Sequence, residues 1–346
     1  MRLLRRAVLT AMLTSVTNCG RVPAPAARGV DGAFPTVGDV ERLDPALDAV
    51  VPRDARIERL AGGFDWSEGP VWRRREGDLL FSDVPGNTIW RWHDRDGLSV
   101  FLRPAGLAAG TPAGRELGSN GLAIDSRGAL VMADHGNRQV ARLDSTNFTK
   151  TTLADRYEGK RLNSPNDVVY RSNGDLYFTD PPYGLAKLKD DPAKELPYSG
   201  VYRLTPSGAL TLLTRELDFP NGIALSPDER TLYVANSDPA RAVWMAYELA
   251  PDGTIARGRV LHDVTPLVRR GLRGLPDGLK VARDGTLFAT GPGGVLVLAP
   301  DGRHLGTIRT GEATANCAFG DDGRTLYMSA DSLLLRIRLA TTGAGF

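Results

Sequence analysis

The chain has 346 residues, 42% of them hydrophobic, and a formal net charge of +2 at pH 7. This length and composition can supply a sizeable core, and the near-neutral charge argues against nucleic acid as a partner. The 39 glycines and 23 prolines favour a fold with many tight turns. With only Cys19 and Cys317, the sequence excludes a disulfide framework and a Cys/His zinc site.

The N-terminus carries the pattern of a bacterial export signal over residues 1–19. Three arginines lie near the start, residues 7–16 are apolar, and Cys19 follows. The apolar run is too short to span a bilayer in the mature chain. The residues before Cys19 resemble a lipobox, so the alternatives are a lipid anchor on Cys19 and simple cleavage. Both alternatives predict an exported protein, either periplasmic or anchored to a membrane that faces the periplasm. Residues 20–54, rich in Pro, Ala, Gly and Asp, are predicted as a tether.

One plan recurs six times along the rest of the chain. A polar residue is followed by a short apolar strand, a tight turn with Asp, Asn or Gly, and a second strand that contains Leu before an aromatic or apolar residue. The six polar residues are Glu68, Asn120, Asn166, Asn221, Asp277 and Asn316. Their spacing of roughly 40 to 55 residues is typical of blade-like repeats. The pattern predicts an all-β domain over residues 55–346, folded as a six-bladed β-propeller, with residues 55–61 pairing with residues 333–339 to close it.

In such a propeller the six polar side chains occupy one position in every blade and converge at one mouth of the central channel. Turn propensity explains any single Asn-Gly or Asp-Gly pair, but it does not explain Glu68, because Glu is a poor turn former. The alternative is a ring of oxygen ligands for a divalent cation, Ca²⁺ first, with Mg²⁺, Mn²⁺ or Zn²⁺ also compatible. Two carboxylates about 4 Å apart repel by roughly 4 kcal/mol at an effective dielectric constant of 20. Charge balance therefore favours a metal at this mouth.

Several motifs resemble one known family. They are SEGPVW around Glu68, RLNSPND ending at Asp167, FTDPPYG at residues 178–184, the PNG segment at Asn221 and the PDG segment at Asp277. From about residue 55 to the C-terminus the chain is similar to the senescence marker protein/gluconolactonase family, which includes regucalcin-like proteins and bacterial sugar lactonases. The resemblance implies a six-bladed propeller with one catalytic divalent cation.

Carried over by motif, the resemblance implies that the metal ligands are Glu68, Asn221 and Asp277. Asn166 then acts at the bound water or the substrate. Asn120 and Asn316 match no ligand that the family requires, and we interpret them as turn or pocket residues.

The implied reaction is the opening of a sugar lactone such as glucono-1,5-lactone. A cation polarises the carbonyl and lowers the pKa of a bound water. Asp277 is the expected base, since a carboxylate can accept the proton of that water and the amide of Asn221 cannot. The sequence has no G-x-S-x-G motif, which disfavours covalent serine catalysis. Two alternatives stay open: an esterase or organophosphate hydrolase with the same metal chemistry, and a non-catalytic binding propeller with a structural cation.

Four further residues are candidate contacts to a small-molecule lactone, beside Asn166. His135 follows the second strand of the second repeat, Arg161 and Asn163 precede Asn166, and Tyr183 lies in the TDPPYG segment. His135 could instead have a surface or turn-bonding role, and Arg161 could pair with a neighbouring acid.

Overall fold

The structure is a computed structural model that describes residues 22–29, 32–108 and 116–346. The predicted export signal and Cys19 lie outside the described residues, so export, and lipidation or cleavage at Cys19, stay predictions. None of the helices in the described ranges has the length and apolarity needed to cross a bilayer.

The N-terminal segment packs on the propeller. It contains β1 (Ala24–Pro25), β2 (Thr36–Val37), β3 (Asp39–Arg42), a short 3-10 helix (Pro45–Ala49) and β4 (Ile57–Gly62). Strands β1 and β2 pair with β4, and β3 joins the outer edge of the fifth blade. Much of the segment predicted as a tether at residues 20–54 is therefore bound to the propeller. The physical reason is an apolar cluster in the Pro- and Asp-rich sequence: Leu47, Val50 and Val51 are buried in the hydrophobic core.

Six antiparallel sheets follow, each starting with its innermost strand. The first blade contains β5 (Ser67–Arg73), β6 (Asp78–Asp83), β7 (Thr88–His93) and β8 (Gly97–Leu102), and the second contains β9 (Ser119–Ile124), β10 (Leu130–Asp134), β11 (Gln139–Leu143) and β12 (Lys150–Ala154). A hairpin of β13 (Arg156–Tyr157) and β14 (Lys160–Arg161) follows. The third blade contains β15 (Val168–Tyr170), β16 (Leu176–Asp180), β17 (Gly200–Leu204) and β18 (Leu210–Thr214). A 3-10 turn at Leu188–Asp190 lies between β16 and β17.

The last three blades complete the ring. The fourth blade contains β19 (Pro220–Leu225), β20 (Thr231–Asp238), β21 (Arg241–Leu249) and β22 (Ile255–Asp263), and the helix α1 (Thr265–Arg269) follows it. The fifth blade contains β23 (Leu279–Val281), β24 (Leu287–Gly291), β25 (Gly294–Leu298) and β26 (His304–Arg309). The sixth contains β27 (Thr314–Gly320), β28 (Thr325–Ala330) and β29 (Leu333–Arg338). The predicted all-β, six-bladed propeller is confirmed.

The N-terminal strand β4 is the outermost main strand of the sixth blade. It pairs antiparallel with β29, with Leu334 opposite Ala61 and Ile337 opposite Ile57. This is the closure predicted from the sequence. It joins the two ends of the chain and covers the outer edge of β29, which would otherwise present unpaired backbone groups.

Large apolar side chains fill the space between neighbouring blades. Trp92 and Trp244 are fully buried, and Trp72 on β5 stacks on Tyr327 of the sixth blade at 5.7 Å between ring centroids. Cys317 is a buried free thiol within the same core. These contacts make each blade depend on the next one for burial of its faces.

Hydroxyl groups connect the second strand of one blade to the first strand of the next. Ser82 Oγ donates to the Asn120 carbonyl at 2.8 Å, Thr179 Oγ1 to the Asn221 carbonyl at 2.7 Å, and Thr290 Oγ1 to the Ala315 carbonyl at 2.8 Å. These hydroxyls occur at the same level in different blades. They fix the height at which each innermost strand starts.

A strand-end carboxylate holds the loop that leads into the third blade. Asp180, at the end of β16, accepts hydrogen bonds from the backbone N–H groups of Asn163 and Ser164, both at 2.8 Å. Burial raises the pKa of Asp180 to about 7, although these two N–H groups oppose the shift. Below about pH 7 the folded state therefore favours the protonated form of Asp180, whereas an ordinary Asp would already be ionised at about pH 4.

Leu60→Ala tests whether β4 is an integral strand. Leu60 is fully buried against the first-blade core, so we expect a loss of about 2 to 5 kcal/mol in the free energy of unfolding, measured by denaturant titration. Val100→Ala on the outer strand β8 is the control, since Val100 is 48% exposed. If Leu60→Ala were as mild as Val100→Ala, β4 would not be part of the core.

Asp180→Asn tests the buried carboxyl. Because the folded pKa of Asp180 is raised, its stabilising contribution is complete below the ordinary Asp pKa and is lost as the pH rises through about 7. The stability advantage of the wild type over Asp180→Asn should therefore shrink between about pH 4 and pH 7 and change little above that. Unfolding titrations of both proteins at several pH values measure it. A gap that widens with pH would contradict the raised pKa.

Candidate functional site

Six polar residues stand at or just before the start of the innermost strands, one in each blade. These are Glu68, Asn120, Asn166, Asn221, Asp277 and Asn316, called here the ring. All except the half-buried Asp277 have exposures of 6% or less. In four blades the pairing of the innermost strand is irregular at or beside the ring residue. Bulges of this kind re-aim side chains next to functional sites.

Glycines allow the innermost strands to approach one another closely. A Cβ atom added to Gly69 would lie 2.1 Å from the carbonyl oxygen of Asn120, and one added to Gly222 would lie 2.2 Å from that of Asp277. A Cβ atom added to Gly278 would lie 2.0 Å from Asn316 Cγ. The residue that follows the ring position is thus pressed against the ring residue of the next blade.

Glu68 is a buried acid with partial hydrogen-bond support. Its Oε2 accepts from the Gly69 N–H at 2.7 Å and from Asn316 Nδ2 at 3.2 Å. Burial raises the pKa of Glu68 to about 8, and the charges of Asp167 and Glu116 act in the same direction. Both bonds use Oε2, which leaves Oε1 for another partner. Asn316 thus orients Glu68 rather than serving only in a turn.

Asp277 shares the electrostatic environment of Glu68. Burial raises the pKa of Asp277 well above its ordinary value, and the Glu68 carboxylate is the next cause. The Glu68 charge therefore acts on Asp277, and the two carboxylates interact unfavourably when both are ionised. Asp277 Oδ1 is enclosed and has no hydrogen-bond partner among the described residues.

The donor set fits a hard cation, provided that amide oxygens contribute. The described residues contain no group of three or more His, Cys, Asp or Glu side chains arranged to hold a metal ion. Glu68 and Asp277 would need oxygens from ring amides such as Asn221. Asn221 Nδ2 donates to Ser237 Oγ at 3.0 Å, so its carbonyl oxygen faces away from that contact. Carboxylate and amide oxygens suit Ca²⁺, and a cation would offset the repulsion between the two acids.

Asp167 is a site residue that the sequence analysis missed. Its carboxylate is buried and accepts from the backbone N–H groups of Val168 at 2.9 Å and Ile223 at 3.2 Å. Burial raises the pKa of Asp167, and the Lys280 ammonium opposes this. The available signal was a break in the pattern. Asp167 follows Asn166 at a position that is Gly in four of the other five repeats.

Tyr183 lies beside the ring, as its position after β16 allowed. Its ring stacks on Phe219 with 5.7 Å between centroids. Burial raises the pKa of Tyr183, hydrogen bonding with Ser237 and Asn221 opposes the rise, and the charges of Asp277 and Glu116 add to it. The phenol is therefore part of the wall next to Asn221.

Arg161 and Asn163 have contacts outside the ring. Arg161 Nη2 donates to the Asn137 carbonyl at 2.8 Å, and its backbone N–H donates to Glu195. Asn163 is fully buried, and its Nδ2 donates to the Asp180 and Tyr198 carbonyls, both at 2.9 Å. Both residues hold the loop that leads to Asn166. A substrate contact for either one stays a prediction.

His135 is buried and paired with an acid that the sequence analysis did not identify. His135 is 1% exposed, and its Nδ1 lies 2.7 Å from Glu116 Oε2. The surface role considered from the sequence is excluded by this burial, whereas His135 does lie in a turn, where its carbonyl accepts from the Arg138 N–H at 3.1 Å. Glu116 could not be found from the repeats, because it lies outside the recurring segment.

Comparisons with known proteins agree with this architecture. The family model described as "SMP-30/Gluconolactonase/LRE-like region" matches residues 66–332. A protein named gluconolactonase from Zymomonas mobilis is 42% identical over 340 residues, which cover 97% of this chain and 95% of the relative.

Solved structures of related proteins superpose on the chain. A structure described as a gluconolactonase from Xanthomonas campestris has a TM-score of 0.76 at 33% identity, covering 90% of this chain and 99% of the other. A calcium-binding regucalcin from Agrobacterium tumefaciens, at 20% identity and a TM-score of 0.64, shares the fold over 90% of this chain and 96% of its own. The six-bladed propeller, the ring at its mouth and the extent of these matches lead to one conclusion: the chain belongs to the SMP-30/gluconolactonase/LRE-like family.

Proposed function

We propose that this protein is a hydrolase that opens a sugar lactone, with a divalent cation held at the ring. The observation that carries the proposal is the pair of acids at the ring, Glu68 and Asp277: burial raises the pKa of both, and the Glu68 charge raises the pKa of Asp277 further. A buried pair of like charges costs free energy unless a cation or a shared proton compensates it. The similarity to a gluconolactonase over nearly the whole chain supports a lactone as the substrate.

The proposed cation ligands are Glu68, Asn221 and Asp277, with Asn166 beside them. Ca²⁺ is the first choice because every ligand is a hard oxygen, and Mg²⁺, Mn²⁺ or Zn²⁺ are alternatives for the assay. A divalent cation bound here would polarise the lactone carbonyl and lower the pKa of a neighbouring water molecule.

Asp277 is the proposed base. Its Oδ1 accepts no hydrogen bond from described residues, and the residue is only half-buried, unlike Glu68. It can therefore accept a proton from the attacking water. Glu68, oriented by Gly69 and Asn316, would remain an anionic ligand.

The other ring-side residues would bind and orient the substrate. Asn166 is buried at the start of the third blade, and its backbone carbonyl accepts from the Gly121 N–H at 2.7 Å. This bond fixes the backbone and leaves the side-chain amide to contact substrate or water. Tyr183 would form one wall, and His135 another. Arg161 and Asn163 complete the proposed substrate side through the loop they hold.

The direct test is turnover of a panel of sugar lactones, aryl esters and phosphotriesters by the purified protein with Ca²⁺, Mg²⁺, Mn²⁺, Zn²⁺ or chelator. The proposal requires cation-dependent turnover of a sugar lactone that exceeds ester and phosphotriester turnover. If only aryl esters or phosphotriesters were turned over, the protein would be an esterase or organophosphate hydrolase rather than a lactonase. If no substrate were turned over, a non-catalytic binding propeller would be favoured.

Asp277→Asn should lower lactone turnover by about 10² or more, because the amide cannot accept the proton of the water. Initial rates measure the loss, and circular dichroism checks the fold. Glu76→Gln is the control, since Glu76 is an exposed acid in a turn of the first blade. Retention of turnover within a few-fold in Asp277→Asn would remove Asp277 from the role of base.

Removal of the cation should abolish lactone turnover and lower the midpoint of thermal unfolding. Restoring Ca²⁺ to about 100 times its Kd should add about 2.7 kcal/mol of stability. Glu68→Gln should weaken Ca²⁺ binding, measured by calorimetry, and reduce this gain, whereas Glu76→Gln should not. A fully active protein after chelation, with metal content verified by elemental analysis, would contradict the metal requirement.

A further inference from the structure

His135 and Glu116 form a buried acid–imidazole pair outside the proposed ligand set. His135 Nδ1 lies 2.7 Å from Glu116 Oε2, and the His135 side chain has no exposure to solvent. The other ring nitrogen, Nε2, is buried and has no hydrogen-bond partner among the described residues. Leaving a buried polar atom without a partner costs free energy. A histidine that served only packing would be expected to satisfy both nitrogens.

The pair lies next to the ring on its mouth side. The backbone N–H of His135 donates to the carbonyl of Gly118 at 3.1 Å, and Gly118 lies two residues before Asn120. On the opposite side, the position of a Cβ atom on Gly184 is 3.1 Å from His135 Cβ and 2.8 Å from Ser164 Cβ. Ser164 stands two residues before Asn166, and Gly184 follows Tyr183. The backbone and Cβ of His135 therefore lie against the segments that lead into two ring residues and against the segment that carries Tyr183.

Electrostatics give the same location. The Glu116 charge contributes to the raised pKa values of Glu68, Asp277 and Tyr183. Glu116 therefore lies within electrostatic reach of both acids of the proposed cation site. Its hydrogen bond to Nδ1 brings the imidazole to the same region.

The pairing determines which nitrogen can act. Glu116 accepts a hydrogen bond from Nδ1–H, which fixes the ring orientation and tautomer and stabilises the imidazolium when Nε2 is also protonated. Nε2 is then the free end of the pair, and it can carry a proton that no protein acceptor retains. This arrangement suits a proton donor better than a permanent hydrogen-bond acceptor.

Lactone opening needs such a donor. When water adds to the carbonyl carbon and the ring C–O bond breaks, the ring oxygen leaves as a strongly basic alkoxide unless it receives a proton. Asp277 accepts a proton in the proposed reaction, so it does not hold one to give at that moment. A second group with a transferable proton is required near the ring.

We propose that His135 is the general acid of this site and that Glu116 is its positioning residue; the inference rests on the proposed lactonase function. Water gives one proton to Asp277 and its oxygen forms the new bond to the carbonyl carbon. As the C–O bond of the ring breaks, the imidazolium gives its Nε2 proton to the ring oxygen, which becomes the product hydroxyl. Asp277 then releases its proton and His135 takes one up again, so the net reaction consumes one water.

The test compares leaving groups of different basicity. His135→Gln removes the transferable proton, so turnover of glucono-1,5-lactone, with its alkoxide leaving group, should fall by about 10² or more. Turnover of an aryl lactone, chosen from those that the wild type hydrolyses, should fall by no more than a few-fold, because a phenoxide leaves without protonation. Ca²⁺ affinity, measured by calorimetry, should be unchanged.

His93→Gln is the matched control, because His93 is another histidine beside a carboxylate, Asp96, at 3.1 Å on the first blade. It should leave both substrates unaffected. Glu116→Gln is the second variant in case His135→Gln does not fold. It should show the same leaving-group pattern with a smaller loss, because the imidazole is then less well oriented.

Two failures can be distinguished. If the wild type hydrolyses no lactone, the proposed function fails and the inference fails with it. If the wild type is active and both variants lose the two substrates equally, or lose neither, only the inference is overturned. An equal loss would indicate that His135 acts through structure or water activation rather than through protonation of the leaving oxygen.

Discussion

The close approach of the innermost strands around the propeller axis is the constraint on which the site depends. Gly69, Gly121, Gly222 and Gly278 lie against backbone or side-chain atoms of the following blade at distances that no Cβ atom could occupy. Hydroxyl groups such as Thr179 Oγ1 then fix the relative height of neighbouring strands. Side chains that are distant in sequence are thereby held at one level with little freedom. Closure by β4 and β29 maintains this arrangement, because an open ring would let the first and sixth blades separate and move Glu68 away from Asn316.

The same packing places charge where it is costly. Glu68, Asp167 and Asp277 are acids in a region from which water is largely removed, and burial is the first cause of the raised pKa of each. Hydrogen bonds from Gly69, Asn316 and Ile223 offset part of the penalty. The remaining cost is the kind that functional sites retain, since a low-dielectric setting strengthens interactions with a cation or with charge that develops during reaction. Stability and function therefore oppose each other at the ring.

The sequence predicted the features that recur in every blade. The blade count, the closing strand and all six ring positions follow from a periodic pattern, because each blade must solve the same packing problem at the axis. What does not repeat was harder to predict. Glu116, which lies outside the repeated strands, was missed, and its contact with His135, a candidate from the sequence, could not be predicted because neither residue belongs to the repeated strands.

The N-terminal segment shows a second limit of the sequence argument. The composition of residues 20–54 is typical of a linker, but Leu47, Val50 and Val51 suffice to dock part of it on the core. Average composition does not reveal a short apolar cluster whose partner surface is formed by residues some 250 positions later in the chain. Asp167 is the opposite case, because the sequence does mark it. It stands where four of the other five repeats have Gly, and this exception to the repeat indicates a residue with a role of its own.

The environments of the two ring acids argue for different roles. Glu68 has 2% exposure, and its Oε2 is engaged by Gly69 and Asn316, so only Oε1 is left for another partner. Asp277 is only half-buried, and its Oδ1 has no partner among the described residues. A base must reach the water and must be free to accept its proton. Asp277 is the more exposed of the two acids and has an oxygen with no hydrogen bond to lose, which favours the proposed proton transfer at Asp277 and charge compensation by Glu68 if the ring binds a cation.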